Sequence, residues 1–143
     1  MKTLFAAAVL ACSFVAPAAL ACDGEEHNAS AATPKPVTVA EMVQLQKSQA
    51  GKPVDANSAE FRAKNGVIPG AVLLTSSGMY DPNKELPAAK DSKLIFYCAS
   101  EKCGSSHKAA EKAIQAGYTN VMVMPEGMNG WKKAGQKTAK PNS

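Results

Sequence analysis

Two cysteines separated by four residues, Cys98 and Cys103, are the side chains of this sequence best suited to covalent chemistry. Cys98 follows an apolar stretch at residues 93–97, and a helical pattern begins at Ser105 or Ser106. A cysteine between a strand and a helix N-terminus faces backbone N–H groups, whose partial positive charge favours a thiolate. The thiolate is the nucleophilic form, so we expect Cys98 to be a nucleophile with a lowered pKa.

Cys103 adds a second thiol that a curled loop would bring to Cys98. A structural disulfide between the two is one interpretation. In another, Cys103 is a resolving thiol that attacks a persulfide or sulfenic acid on Cys98, forming a disulfide that a reductant reopens. His107, in the first turn of the following helix, either assists Cys98 or is simply exposed there. The sequence leaves these alternatives open.

The residues around this pair alternate between strand and helix patterns. Thr38 and Glu41 form a capping box that predicts a helix running to about Gln49. A buried strand at 52–57, a brief helix from Ser58 to Phe61 and a strand after the Pro69-Gly70 turn are predicted next. A central strand at 93–97 then leads to a helix that runs through Ala116 and is closed by Gly117. The last predicted elements are a strand at 119–124 and a short helix with Trp131. This alternation predicts an α/β fold with a mostly parallel central sheet flanked by helices. Reactive groups gather at the carboxyl ends of such strands, as Cys98 does.

Five segments occur in the order typical of a known family. They read VDANSAEF, NGVIPGAVLL, IFYCASEKC, SHKAAEKAIQAGYTNVMVM and EGMNGW. On these motifs the chain resembles the rhodanese-like domain family over residues 37–135. The resemblance implies an α/β sheet sandwiched by helices. Active members of the family take sulfane sulfur from donors such as thiosulfate onto the cysteine as a persulfide, then pass it to cyanide or a thiol.

Carried over residue by residue, the resemblance makes Cys98 the nucleophile and persulfide carrier. The substrate-binding loop that it implies, which would cradle the outer sulfur, comprises Ala99, Ser100, Glu101, Lys102, Gly104, Ser105, Ser106 and His107. Asp55 and Trp131 match family positions with structural roles. No cofactor or metal ion is implied. The expected partners are a small sulfur-donor anion and a thiol or other nucleophilic acceptor.

The loop departs from the family pattern at one functional position. Family loops commonly read C-x-x-G-x-R-S, with the arginine on the substrate anion. Depending on how the loop is aligned, Cys103 or Ser105 occupies the arginine position here. Lys102, Lys108 or His107 would have to supply the positive charge, which weakens the expectation of thiosulfate as the donor.

The first 21 residues predict a signal peptide, with an apolar run at residues 4–15 and an A-x-A cleavage pattern ending at Ala21. Cys22 would then begin the mature chain, either lipidated as in bacterial lipoproteins or unmodified after secretion. Residues 22–36 predict a flexible tether, and residues 136–143 a basic polar tail. We therefore expect a periplasmic or other extracytoplasmic protein, with membrane anchoring through Cys22 as an open alternative.

Composition narrows the function further. The chain has 143 residues and a formal net charge of +4, with lysines spread along it rather than clustered. This pattern predicts no nucleic-acid partner, and the small domain predicts a monomer.

Three functions remain: an exported sulfurtransferase acting through Cys98, a thiol redox protein using Cys98 with Cys103, or a non-catalytic binding module. A phosphatase or arsenate reductase is disfavoured because the loop lacks arginine.

Overall fold

The computed structural model describes residues 33–141. The predicted signal peptide, Cys22 and most of the predicted tether lie outside the described residues. Within them, strands and helices alternate as β1 (Lys35–Pro36), α1 (Val39–Lys47), β2 (Lys52–Asp55), α2 (Ala59–Asn65), β3 (Val72–Leu73), α3 (Pro82–Glu85), β4 (Leu94–Tyr97), α4 (Ser105–Gln115), β5 (Val121–Val123) and α5 (Gly127–Lys133).

The strands form one sheet in the order β1-β5-β4-β2-β3, and every neighbouring pair is parallel. The predicted α/β fold with a parallel central sheet is therefore confirmed. β4 is the central strand and is buried along its whole length. Its Phe96 lies between Val54 of β2 and Val123 of β5. An apolar stretch on both faces suits a strand covered by helices on both sides.

Each face of the sheet carries its own core. On one face, α4 packs against β4 through Ala109, Ala110 and Ala113, small side chains that let the helix approach closely. On the other face, α1 and α5 pack against β4 through Met42 and Trp131, among others. Fully burying one large apolar side chain stabilises a fold by about 1.5–3 kcal/mol. The two layers hold β4, and hence the residue that follows it, in a fixed position.

Capping residues fix the N-termini of α1 and α2, as the sequence predicted. Thr38 and Glu41 form the capping box of α1, with both reciprocal hydrogen bonds present. Ser58 caps α2, but this helix continues past Phe61 to Asn65. The longer helix is explained by Arg62, whose side chain points inward and is buried rather than solvated.

Two segments outside residues 37–135 also contact the fold. Strand β1 includes Lys35 and Pro36, which the sequence analysis assigned to the tether, and it pairs with β5. Beyond residue 135, Ala139 forms an antiparallel bridge with Val67. Both attachments use backbone hydrogen bonds, which composition does not reveal. Among residues 33–141, no helix is both long and apolar enough to span a membrane.

Candidate active site

Cys98 lies directly after β4, at the carboxyl end of the central strand, and only 1% of its surface is exposed. The start of α5 holds its backbone in place. The Met128 N–H donates to the Cys98 carbonyl (2.8 Å) and the Asn129 N–H donates to the Ala99 carbonyl (3.0 Å). Gly127 has φ +58°, and a Cβ there would lie 2.5 Å from the Cys98 oxygen. The close approach of α5 therefore requires glycine at position 127.

The loop after Cys98 turns back on itself. The Cys103 N–H donates to the Ser100 carbonyl (2.9 Å), closing a tight turn before α4 begins. This turn places Cys103 against Cys98. The Cys98 thiol donates to the Cys103 carbonyl (2.9 Å), and its sulfur lies 3.3 Å from the Ser106 hydroxyl. Both cysteines are free thiols in this structure.

The surroundings of Cys98 favour its protonated form. Burial raises the pKa of the Cys98 thiol, and the hydrogen bond with the Cys103 side chain raises it further. The hydroxyl and N–H of Ser106 oppose this but do not reverse it. The sequence predicted a lowered pKa at this position. The difference arises because burial penalises the charged thiolate more than the Ser106 donors stabilise it.

The donors expected to surround Cys98 face Cys103 instead. Partial burial acts against ionisation of Cys103, but hydrogen bonds from the Cys98 thiol, the N–H groups of Ala99 and Ser105, and the Ser105 side chain together lower its pKa. Cys103 is partly exposed, whereas Cys98 is buried. The pair is therefore asymmetric, with one shielded thiol and one more acidic, more accessible thiol hydrogen-bonded to it.

The structure brings together only part of the predicted loop set. Ser100, Ser106 and Cys103 contact the Cys98 sulfur, and the N–H groups of Ala99 and Ser105 face Cys103. The remaining predicted loop residues are exposed, and none of their side chains is a hydrogen-bond partner of Cys98: Glu101, Lys102, Gly104 and His107. His107 therefore does not form a Cys-His pair in this arrangement. Within residues 33–141, no three histidine, cysteine or acidic side chains cluster as a metal site would require.

A buried ion pair at the end of β2 was missed by sequence reasoning. The Arg62 Nε lies 3.2 Å from Asp55 Oδ1. Its Nη2 also donates to the carbonyls of Asp55 (2.9 Å) and Leu74 (2.7 Å), linking the ends of β2 and β3. Asp55 thus lies within the scaffold beside the site. The available sequence signal was the spacing of seven residues between Asp55 and Arg62, which places Arg62 within the capped helix that follows β2.

Trp131 is buried in the core on the α1/α5 face of the sheet. Its indole N–H donates to the Lys137 carbonyl (2.9 Å), which fastens the segment after α5. Neither Trp131 nor Asp55 is a hydrogen-bond partner of the Cys98 sulfur, whose contacts all come from the loop and the start of α4.

The sequence matches the model of a known protein family. Residues 38–134 match the model of the rhodanese-like domain family. Because this match spans more than half of the chain, the chain belongs to the rhodanese-like domain family. No curated protein matches the sequence.

Solved structures with the same fold include proteins of different described roles. A protein of unknown function from Rhodopseudomonas palustris, described as a possible tyrosine phosphatase, is 29% identical with a TM-score of 0.62, covering 74% of this chain and 85% of its own. The human single-domain sulfurtransferase TSTD1 is 23% identical with a TM-score of 0.57, covering 71% and 97%. The thiosulfate sulfurtransferase of Pseudomonas aeruginosa is 20% identical with a TM-score of 0.65, covering 77% of this chain and 21% of its own.

Proposed function

We propose that the protein is an exported sulfurtransferase that carries sulfane sulfur as a persulfide on Cys98. One observation carries this proposal: a buried thiol at the carboxyl end of the central strand donates to the carbonyl of Cys103, a second free cysteine whose pKa is lowered where that of Cys98 is raised. Two titratable groups whose environments push their pKa values apart are a common basis for acid and base roles. Here Cys98 is the nucleophile and Cys103 is its base.

The first half-reaction uses this pair directly. As the Cys98 sulfur attacks the outer sulfur of a donor such as thiosulfate, its proton passes to the Cys103 thiolate and sulfite leaves. Cys98 then carries the persulfide, and Cys103 is protonated. The N–H groups of Ala99 and Ser105, which face the Cys103 sulfur in the free protein, become available to the charged outer sulfur. In the second half-reaction an acceptor thiolate takes the outer sulfur and leaves the Cys98 thiolate.

Positive charge for an anionic donor comes from lysine rather than arginine. A cavity of about 480 Å³ borders the loop, and its lining includes Lys102 and Lys133 together with Glu101 and Glu126. The two lysines can approach an anion, but the two carboxylates offset their charge. Lysine is a point charge without the planar fork that binds an oxyanion through two parallel bonds. We therefore propose weaker selection for sulfonate-type donors than an arginine loop would give, and greater tolerance of other sulfane-sulfur anions.

The same residues argue against phosphatase chemistry, despite the description given to the Rhodopseudomonas relative. Arg62 is the only arginine in the sequence, and it is buried against Asp55 and Leu74. No guanidinium is therefore free to bind a phosphate beside Cys98. A redox function is favoured by one observation, the presence of two free cysteines side by side in one loop, and it predicts a different product on oxidation.

The test is intact-mass measurement of the reduced protein before and after exposure to thiosulfate or polysulfide, with peptide mapping of the cysteines. We expect a gain of one sulfur atom located on Cys98. Glu111→Gln is the control, since Glu111 is exposed on α4 and contacts neither thiol. Sulfur uptake by Cys98→Ser at the wild-type level would contradict the proposal. Loss of two hydrogens without sulfur gain would favour the redox function.

Export and anchoring form a separate part of the proposal, supported by the apolar run at residues 4–15 and the A-x-A pattern before Cys22. In a Gram-negative host we expect the chain to reach the periplasm and to lose its first 21 residues. Comparing Cys22→Ser with the unchanged chain in membrane and soluble fractions decides between lipidation and plain secretion. Retention of the unprocessed chain in the cytoplasm would overturn export.

A further inference from the structure

We propose that Cys103 resolves the persulfide on Cys98, releasing the carried sulfur as hydrosulfide and leaving a Cys98–Cys103 disulfide that an external dithiol reopens. This inference rests on the proposed persulfide chemistry of Cys98. It goes further by assigning the protein a second activity, the reductive release of sulfane sulfur. It also names the class of partner needed for turnover, a small or protein dithiol.

The loop geometry places Cys103 beside the sulfur of Cys98. The turn closed by Cys103 N–H and the Ser100 carbonyl folds the second cysteine back over the first. The α5 N–H bonds to the carbonyls of Cys98 and Ala99 fix the first part of the loop. The Cys98 sulfur lies 2.9 Å from the Cys103 carbonyl oxygen, so the Cys103 side chain extends from a residue that already contacts the inner sulfur of a persulfide on Cys98.

The chemistry of the two thiols selects which sulfur is attacked. Attack on the inner sulfur expels hydrosulfide, whereas attack on the outer sulfur expels the Cys98 thiolate. A leaving thiol with a lower pKa departs faster. Because burial and the hydrogen bond with Cys103 raise the pKa of Cys98, its thiolate is the poorer leaving group. The lowered pKa of Cys103 supplies the attacking thiolate near neutral pH.

The proposed cycle balances in atoms and electrons. After loading, the proton that Cys103 took from Cys98 returns to the outer sulfur. The Cys103 thiolate then forms a bond to the Cys98 sulfur as the bond to the outer sulfur breaks, and that sulfur leaves as hydrosulfide. An external dithiol supplies two electrons: one thiolate attacks the Cys103 sulfur, and the other resolves the mixed disulfide. With thiosulfate the sum is thiosulfate plus dithiol giving sulfite, hydrogen sulfide and a disulfide.

Exposure determines where the dithiol enters. Cys98 is shielded by the loop and by α5, whereas Cys103 is partly exposed at the loop surface. Access to a sulfur is one of the factors that set the rate of thiol–disulfide exchange. The external thiolate therefore meets Cys103 first. The buried Cys98 is then released as a free thiol, ready for another donor.

The experiment is a single loading of the reduced protein, wild type and Cys103→Ser, with a polysulfide donor under anaerobic conditions. After removal of excess donor, free hydrosulfide and the state of each cysteine are measured over time without added thiol. We expect wild type to release one hydrosulfide per Cys98–Cys103 disulfide formed. We expect Cys103→Ser to retain its persulfide at least about tenfold longer, by analogy with the loss of an activated nucleophile. Cys103→Ala is a second variant that removes the thiol, and Glu111→Gln, at an exposed position of α4 outside the loop, is the control.

The outcomes separate this inference from the function on which it rests. Persulfide that persists equally in wild type and Cys103→Ser, with no disulfide, overturns the resolving role while leaving sulfur transfer intact. A persulfide located on Cys103 overturns it in favour of sulfur relay. Wild type that forms neither a persulfide on Cys98 nor a disulfide with release of hydrosulfide overturns the proposed function itself, whereas the Cys103 variants, which lack the base, are expected only to load more slowly. A sample without donor must keep both thiols free, or the disulfide reflects oxidation alone.

Discussion

The ends of strands β2 and β4 lie side by side, with Asp55 opposite Tyr97, yet they are stabilised in opposite ways. At the end of β2, a buried carboxylate is matched to a guanidinium that also donates to two carbonyls. At the end of β4, Cys98 makes sulfur contacts that can be exchanged for others. The comparison shows that an ion pair holds the scaffold at the end of β2, whereas the site at the end of β4 is built from thiols, which can gain or lose a proton.

Replacing the buried thiol is the most severe test of this division. We expect Cys98→Ser to lose persulfide formation completely, because serine lacks a sulfur to carry. Because the serine hydroxyl can donate to the Cys103 carbonyl as the thiol does, the free energy of unfolding should change by less than about 1.5 kcal/mol. Mass measurement after donor exposure and urea unfolding check the two statements. A large loss of stability would mean that Cys98 belongs to the scaffold.

Breaking the ion pair should have the complementary effect. We expect Arg62→Leu to reduce the free energy of unfolding by about 3–5 kcal/mol, because it leaves the Asp55 carboxylate buried without its partner. Urea unfolding measures the change. Lys64→Leu on the same helix is the matched control, since Lys64 is exposed. A similar small effect in both variants would contradict the scaffold role of the pair.

Gly127 connects the scaffold to the site, so its substitution should affect both. We expect Gly127→Ala to destabilise the fold by about 1–3 kcal/mol, because φ +58° strains a residue with a side chain. The new Cβ would also press on the Cys98 carbonyl and displace the loop. Unfolding measurements and the sulfur-loading assay are read together. Gly135→Ala, with positive φ but no atom within 4 Å of its Cβ, separates strain from contact.

The smallest predicted effect is a difference in reactivity between the two thiols. We expect iodoacetamide to modify Cys103 before Cys98, and to do so at a pH below the value of about 8.5 that governs a free cysteine. As pH falls through the lowered pKa of Cys103, its thiolate is protonated and the rate declines. Cys98 should react only at higher pH, because its pKa is raised. Peptide mapping at a series of pH values measures which cysteine is modified first. Equal modification rates for Cys98 and Cys103 would contradict the predicted difference between the two thiols.

Sequence reasoning identified most of the elements, though not β1, and it did not identify the orientation within the loop. β4 and α4 were predictable, because an apolar stretch and a helix closed by Gly117 are strong local signals. One turn, closed by a single hydrogen bond between Cys103 and Ser100, decides whether the loop N–H groups face the sulfur of Cys98 or that of Cys103. No periodic pattern encodes that choice. The inward course of Arg62 was hidden similarly, because a charged residue on a short helix is usually exposed.

The contact between α5 and the Cys98 backbone has a consequence for the order of events during folding. The loop receives its anchoring N–H bonds from residues 128 and 129, which follow the cysteine by some thirty positions. A growing chain therefore has the thiol before it has the pocket. The shielding of Cys98 depends on completion of the domain, so an incomplete chain carries only an ordinary, accessible cysteine.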